Sequence, residues 1–150
     1  LNRHKKFSIN KTINNMKKVL LLLTVAASLT CISFKVLDDQ PKKPWVVPDK
    51  NANMKNPVAS NSESISNGKS VWEMQCKSCH GKKGMGDGPK AAQLKTEPGD
   101  FSLASTQNQS DGSLFYKISE GRGDMPSFKK KISDPNDIWS VINYVRTFKK

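Results

Sequence analysis

Residues 76 to 80 read Cys76-Lys77-Ser78-Cys79-His80, and no other stretch of the chain limits its fold as much. Two thiols three positions apart, followed at once by an imidazole, form the attachment signature for a c-type haem. The thiols can add to the two vinyl groups on one side of a porphyrin. The histidine then sits beneath the ring, where its imidazole can bind the iron as proximal ligand. Cys76 and Cys79 are therefore expected to be the covalent attachment points of one haem c, and His80 an axial ligand of its iron.

Other uses of these residues fit less well. A zinc site needs four ligands, and the remaining cysteine and histidine, Cys31 and His4, both lie near the start of the chain. A thioredoxin-like pair needs a βαβ pattern around it, and none is visible. A structural disulfide between the two cysteines leaves His80 unexplained.

The chain has 150 residues, enough for one ordinary domain. Not all of it reads as domain. Met16, Lys17 and Lys18 precede an almost wholly apolar run from Val19 to Phe34, a charged region followed by a short hydrophobic one. This is the pattern of a secretory signal, so residues 1–34 are expected to be a leader. The run is near the lower limit for spanning a bilayer, about 17 to 25 residues, which makes a retained anchor the second choice. Residues 1–15 are polar, basic and without period, and Met16 is the more natural start. Cys31 closes the hydrophobic run in Ser28-Leu29-Thr30-Cys31. This resembles a bacterial lipoprotein processing site, although Thr30 stands where a smaller residue is usual. Cleavage after Ala26-Ala27-Ser28 is the competing reading, and it leaves Cys31 an odd thiol in an oxidising compartment. Lipidation of Cys31 is the expectation.

Residues 35–64 carry Pro41, Pro44, Pro48 and Pro57 among Asn, Ser and Lys. They show neither a helical nor a strand period and are expected to form a disordered tether. Its mean reach is roughly 30 Å, from about 5 to 6 Å times the square root of length. Trp45-Val46-Val47 is a small apolar island in it. The formal charge is +12. Residues 1–61 hold 11 Lys and Arg against 3 acids, and residues 62–150 hold 14 against 10. The excess thus sits mainly in leader and tether. With no aromatic and basic interleaving and no zinc-finger spacing, nucleic acid is not an expected partner.

Residues 65–150 remain for the folded unit, which is small for a self-sufficient core. A buried porphyrin supplies the missing apolar volume. Three helices can be placed. The first runs from about Ser66, capped by Ser66 or Asn67, through Val71 and Trp72 into the cysteine motif. The second covers roughly Gly112 to Glu120, with Ser110 or Asp111 as cap, Leu114, Phe115 and Ile118 as its apolar face, and Gly121 as stop. The third is the clearest. Ser133 or Asp134 caps it and Pro135 suits its first turn. Ile138, Val141, Ile142, Val145 and Phe148 recur at three and four spacings, and Trp139 and Tyr144 add aromatic bulk. Between the first two helices lies a loop holding Gly81, Gly84, Gly86, Gly88, Pro89, Pro98 and Gly99. Such a loop suits backbone laid closely around a flat cofactor.

The sixth position on the iron has one good candidate. Met16 and Met54 lie in leader and tether, and Met74 precedes the motif on the proximal side. Met85 is only five residues past His80, too near to cross the ring edge. Met125 lies in the loop Gly121-Arg122-Gly123-Asp124-Met125-Pro126. Pro126 keeps Met125 out of helical geometry, and the glycines let the loop lie close to a porphyrin. The bland alternative is a packing methionine.

Taken together, the Cys76–His80 motif, Gly84-Met85-Gly86-Asp87-Gly88-Pro89, Met125-Pro126 and the Tyr144-Val145-Arg146 helix resemble class I mono-haem cytochromes c, over residues 64 to 150. The likeness is to small exported bacterial domains that serve, or are fused to, terminal oxidases and periplasmic dehydrogenases. It implies an all-α cytochrome c-type fold of three or more short helices around one covalently attached haem. It also implies that Pro89 offers its carbonyl to the other ring nitrogen of His80, and that Tyr144 packs near the first helix. Trp72 and Pro126 join the expected haem surroundings.

Histidine plus methionine leaves iron no open site, and a thioether raises its reduction potential. The expected function is an exported electron shuttle, monomeric and not an enzyme, at the periplasmic face of a membrane. The tie is through a lipid or the retained leader. Lys77, Lys82, Lys83 and the run Lys129 to Lys131 can form a rim that steers acidic redox partners. Two alternatives stand beside it: an electron-transfer subunit of a dehydrogenase or terminal oxidase, and a haem-based gas or redox sensor in which Met125 leaves the iron.

Overall fold

Asp134, Ser110 and Asn61 each cap a helix, and these three helices carry the fold. The computed structural model describes residues 44–150. The leader, Cys31 and residues 35–43 lie outside the described residues. In chain order the helices are α1 (Asp49–Ala52), α2 (Ser62–Gln75), α3 (Lys77–His80), α4 (Ala104–Gln107), α5 (Asp111–Glu120) and α6 (Pro135–Arg146), with a 3-10 turn at Ala91–Gln93. The only ladder pairing among the described residues is an isolated bridge between Arg122 and Met125. No helix among them is long and apolar enough to cross a membrane.

The last two helices begin where local chemistry places them. The Asp134 carboxylate accepts the Asn136 amide at 2.9 Å, with Pro135 in the first turn. Ser110 Oγ accepts the Ser113 amide at 3.2 Å, and α5 ends at Gly121 with φ 68°. Only glycine takes that angle without strain. The first helix starts earlier than its apolar pattern suggests. Asn61 Oδ1 accepts the Ser64 amide at 2.9 Å, and Ser64 Oγ accepts the Asn61 amide at 3.1 Å. This reciprocal cap fixes the start at Ser62, four residues before the expected Ser66.

Helices α2 and α6 touch backbone to backbone. Gly68 faces the Ser140 carbonyl so closely that any Cβ would overlap its oxygen. That approach lets Val71 and Trp72 reach Ile138, Val141 and Val145, joined by Phe128 and Ile132 from the loop between α5 and α6. Leu114, Trp139 and Ile142 form a second cluster. Its centre is Phe115 stacked on Trp139 at 4.2 Å and 17°. Each such buried side chain stabilises the fold by about 1.5–3 kcal/mol.

The described part of the expected tether is not free of the helices. Trp45 belongs to the same compact unit as Lys150. The buried amide of Asn143 donates to the Val58 carbonyl at 3.1 Å and to Ser64 Oγ at 3.2 Å, and accepts from Asn56 Nδ2 at 2.9 Å. Ser110, while capping α5, donates to the Ala52 carbonyl at 2.6 Å. Gly112 lies so close to the Asn51 carbonyl that no side chain fits there. The polar residues that read as disorder are the ones that make these bonds, and the domain begins near Trp45 instead of residue 65.

Candidate functional site

Cys76 ends α2 and opens the single turn of α3. The amides of Cys79 and His80 both donate to the Cys76 carbonyl, at 3.1 and 3.0 Å. This turn puts both thiols on one face, three residues apart. Neither is in a disulfide. Burial, and after it the neighbouring Cys79, pushes the Cys76 thiol up to about 12.

A glycine-rich loop grips the turn from behind. Gly86 N–H donates to the His80 carbonyl at 2.9 Å, Gly88 to Cys79 at 3.3 Å, and Lys90 to Ser78 at 2.8 Å. A Cβ on Gly88 would stand 2.5 Å from the Ser78 oxygen, so nothing larger fits. The imidazole of His80 packs against Phe101 at 4.6 Å and Trp72 at 5.7 Å between ring centroids, and those two rings meet each other at 5.6 Å. Trp72 is in turn fixed by donating Nε1–H to the Gly81 carbonyl at 3.1 Å. Tyr144 meets Trp72 edge-on at 6.1 Å, so the last helix does pack an aromatic against the first.

Burial pushes the His80 imidazole down to about 4, opposed by a hydrogen bond with the Pro98 carbonyl. At neutral pH it is therefore uncharged and keeps a lone pair on one ring nitrogen, as a metal ligand requires. Its Nδ1 is buried with no partner. Pro89 does not supply one. That residue is exposed, in the loop whose Gly88 and Lys90 amides donate to the Cys79 and Ser78 carbonyls. The carbonyl beside the imidazole is that of Pro98.

Met125 sits in a hairpin closed by Arg122 N–H to Met125 O at 2.9 Å and Met125 N–H to Arg122 O at 3.1 Å. Asp124, next to it, accepts the Lys95 and Thr96 amides at 2.8 and 3.2 Å. Ser127 Oγ and the Phe128 amide tie the following residues to the end of α5. Pro126 is exposed, as are Met74 and Met85, while Met125 is half-buried.

His80 and Met125 line one cavity of about 220 Å³ whose walls include Phe101, Leu114, Ile118 and Val145. A half-buried neutral imidazole with a buried, unsatisfied nitrogen, a thioether and an apolar wall fit an iron porphyrin. Trp45, Pro98 and Lys117 also line this cavity, and sequence reasoning did not place them there. Trp45 and Pro98 arrive from segments without helical period, and Lys117, although on α5, lies outside the apolar face read for that helix. Lys77, Lys82 and Lys83 are exposed. Lys129 is paired with Glu120 at 2.8 Å, and Lys131 Nζ lies 5.5 Å from the Phe128 ring centroid.

Residues 63–145 match the family described as cytochrome c oxidase, cbb3-type, subunit III. The chain belongs to this family of c-type cytochrome domains. Its fold is the all-helical cytochrome c fold, and the domain is an electron carrier and not a catalyst. The family carries covalently bound haem c. No curated protein matches the chain. Among solved structures, it is similar to a chain of the reducing HAO-like protein complex of Kuenenia stuttgartiensis. The identity is 26% over 63% of this cytochrome and 47% of that chain, with a TM-score of 0.55. This cytochrome thus spans about half the length of that relative. It is also similar to the KustC0563 c-type cytochrome, with 30% identity over 55% of this chain and 98% of that one, and a TM-score of 0.49.

Proposed function

We propose that this cytochrome is a mono-haem electron shuttle of the cell envelope, with Cys76 and Cys79 bonded to the haem and His80 and Met125 as the axial ligands of its iron. The single observation that carries this reading is the shared cavity: one imidazole and one thioether open on the same apolar space. When bound, the haem supplies an iron that takes up and releases one electron. Everything else falls to the chain. Phe101 and Trp72 hold the imidazole in one orientation. Asp124 and the Arg122 hairpin hold the sulfur. The apolar wall keeps water away, which limits rearrangement when the charge changes. With both axial positions filled by protein, none is left for a substrate.

We place the protein outside the cytoplasm, exported by its leader and held at the membrane through Cys31 or the retained leader, acting as a monomer on acidic redox partners. Its exposed lysines support steering of that kind. A second reading, a subunit within a larger redox assembly, is favoured by the family's description and by the likeness to a chain of a redox complex.

The test is the optical spectrum of the protein matured with haem. Pigment that survives acidic acetone and shows the red charge-transfer band of iron–sulfur ligation supports the shuttle. Ready binding of carbon monoxide to the reduced protein removes it in favour of a sensor. Mass spectrometry of the mature N-terminus decides between a modified Cys31 and cleavage before Leu29.

A further inference from the structure

A haem is not only an apolar plate. Its two propionate side chains are carboxylates, and one end of its site must satisfy them. The cavity of His80 and Met125 is also lined by Gln109, Lys117 and Trp45, and Lys117 meets the other two. Lys117 is the one cation lining it. It donates to Gln109 Oε1 at 2.6 Å, a neutral acceptor, and its ammonium lies 5.6 Å from the Trp45 ring centroid. Arg122 stands over the same indole at 4.5 Å. No carboxylate among the described residues pairs with Lys117. Both acids on its helix are taken, Glu120 by Lys129 and Asp111 by Arg146.

This placement is unfavourable in the chain alone. Lys117 is half-buried, and both burial and the positive Arg122 push its pKa down. A partly desolvated ammonium beside a guanidinium, with an amide oxygen as sole acceptor, is stabilised by an anion brought to the same place. The cation–π contact with Trp45 offsets about 1 kcal/mol of this.

We propose that Lys117 is the cation that receives a haem propionate, with Gln109 orienting its ammonium and Trp45 covering the pair from solvent. The inference rests on the reading that this cavity holds the haem. Lys117 is a positioning residue: it keeps one carboxylate ionised beside the iron and so holds the reduction potential constant across working pH.

The experiment is potentiometry against pH on the matured holoprotein, the parent compared with Lys117→Met, Lys117→Gln and Lys117→Arg. Removing a positive charge near the iron favours the ferric state, so both neutral variants should have a lower potential at pH 7. Their potential should then climb as pH falls, because the freed propionate takes up a proton within the working range. Lys117→Arg should keep the flat profile of the parent. Neutral variants whose curves superimpose on the parent, with haem attached and the iron–sulfur band intact, overturn the inference and leave the shuttle standing. A parent without covalent haem overturns both. Should the neutral variants not mature, the infrared redox-difference spectrum of the parent decides. A propionate stretch that stays ionised below about pH 4, where free carboxyl groups protonate, supports the pairing, and titration near that value overturns it.

Discussion

The two sides of the cavity between His80 and Met125 are built by different means. On the His80 side, a one-turn helix is gripped along its carbonyls by three amides of a glycine loop, and its imidazole packs against two aromatic rings. Backbone meets backbone, and Gly88 leaves no room for change. On the Met125 side, a two-bond hairpin is tied to Lys95 and Thr96 by the exposed carboxylate of Asp124, and the residues after it to the end of α5 by Ser127 Oγ and the Phe128 amide. Side chains supply much of that hold. The imidazole is thus placed by the chain's own path and the thioether in good part by contacts that can be exchanged singly. The lesson is that disturbance of this cytochrome should reach the sulfur well before it reaches the imidazole.

Breaking the rigid side should have the largest effect. Gly88→Val drives a side chain into the Ser78 and Cys79 backbone, and overpacking against backbone costs about 3 kcal/mol or more. The expected outcome is loss of acid-acetone-stable pigment, measured as the yield of covalent haem. Met125→Ala should leave the haem attached. It should abolish the iron–sulfur band, lower the reduction potential and admit carbon monoxide. If haem attachment fell as sharply here as in Gly88→Val, the asymmetry would be wrong. Asp124→Ala should be milder, removing one acceptor from two amides at about 1 kcal/mol per hydrogen bond. On heating, its iron–sulfur band should fade before helicity does, by a wider interval than in the parent. The smallest change is expected from Lys129→Ala. Its partner Glu120 is an exposed one, so the melting curve should not move. Only the salt dependence of association with an acidic redox partner should flatten, and an unchanged salt dependence would strike Lys129 from the docking rim.

The sequence was most legible where structure follows from neighbours along the chain. Asp134 with Pro135, and Ser110 with Gly121, mark α6 and α5 within a residue, because capping is a local interaction. The Cys76–His80 turn follows the same logic of spacing, and Met125, singled out by reach along the chain, lines the cavity while Met74 and Met85 are exposed. The start of α2 was harder to see. Its first turn is polar, and the Asn61 and Ser64 pair is an unusual capping box without the glutamate that marks the common one. Least legible were residues 45–61. Their composition is that of a disordered chain, and their order comes from Asn56 and Asn143, which are 87 positions apart. No window along the sequence holds both. Pro98 beside His80 was hidden for the same reason, since a carbonyl's neighbour across a loop depends on the path of the whole loop.

The docking of Trp45 onto the helices also sets how far this carrier can travel. Were Cys31 fixed in a lipid leaflet, 14 residue steps would separate it from Trp45, and a chain cannot stretch beyond about 3.5 Å per step. The first docked residue, itself a wall of the redox cavity, is then confined to a shell about 50 Å deep above the bilayer. Donor and acceptor would then both have to present their redox centres inside that shell, which would favour proteins embedded in the same membrane over those diffusing freely beyond it.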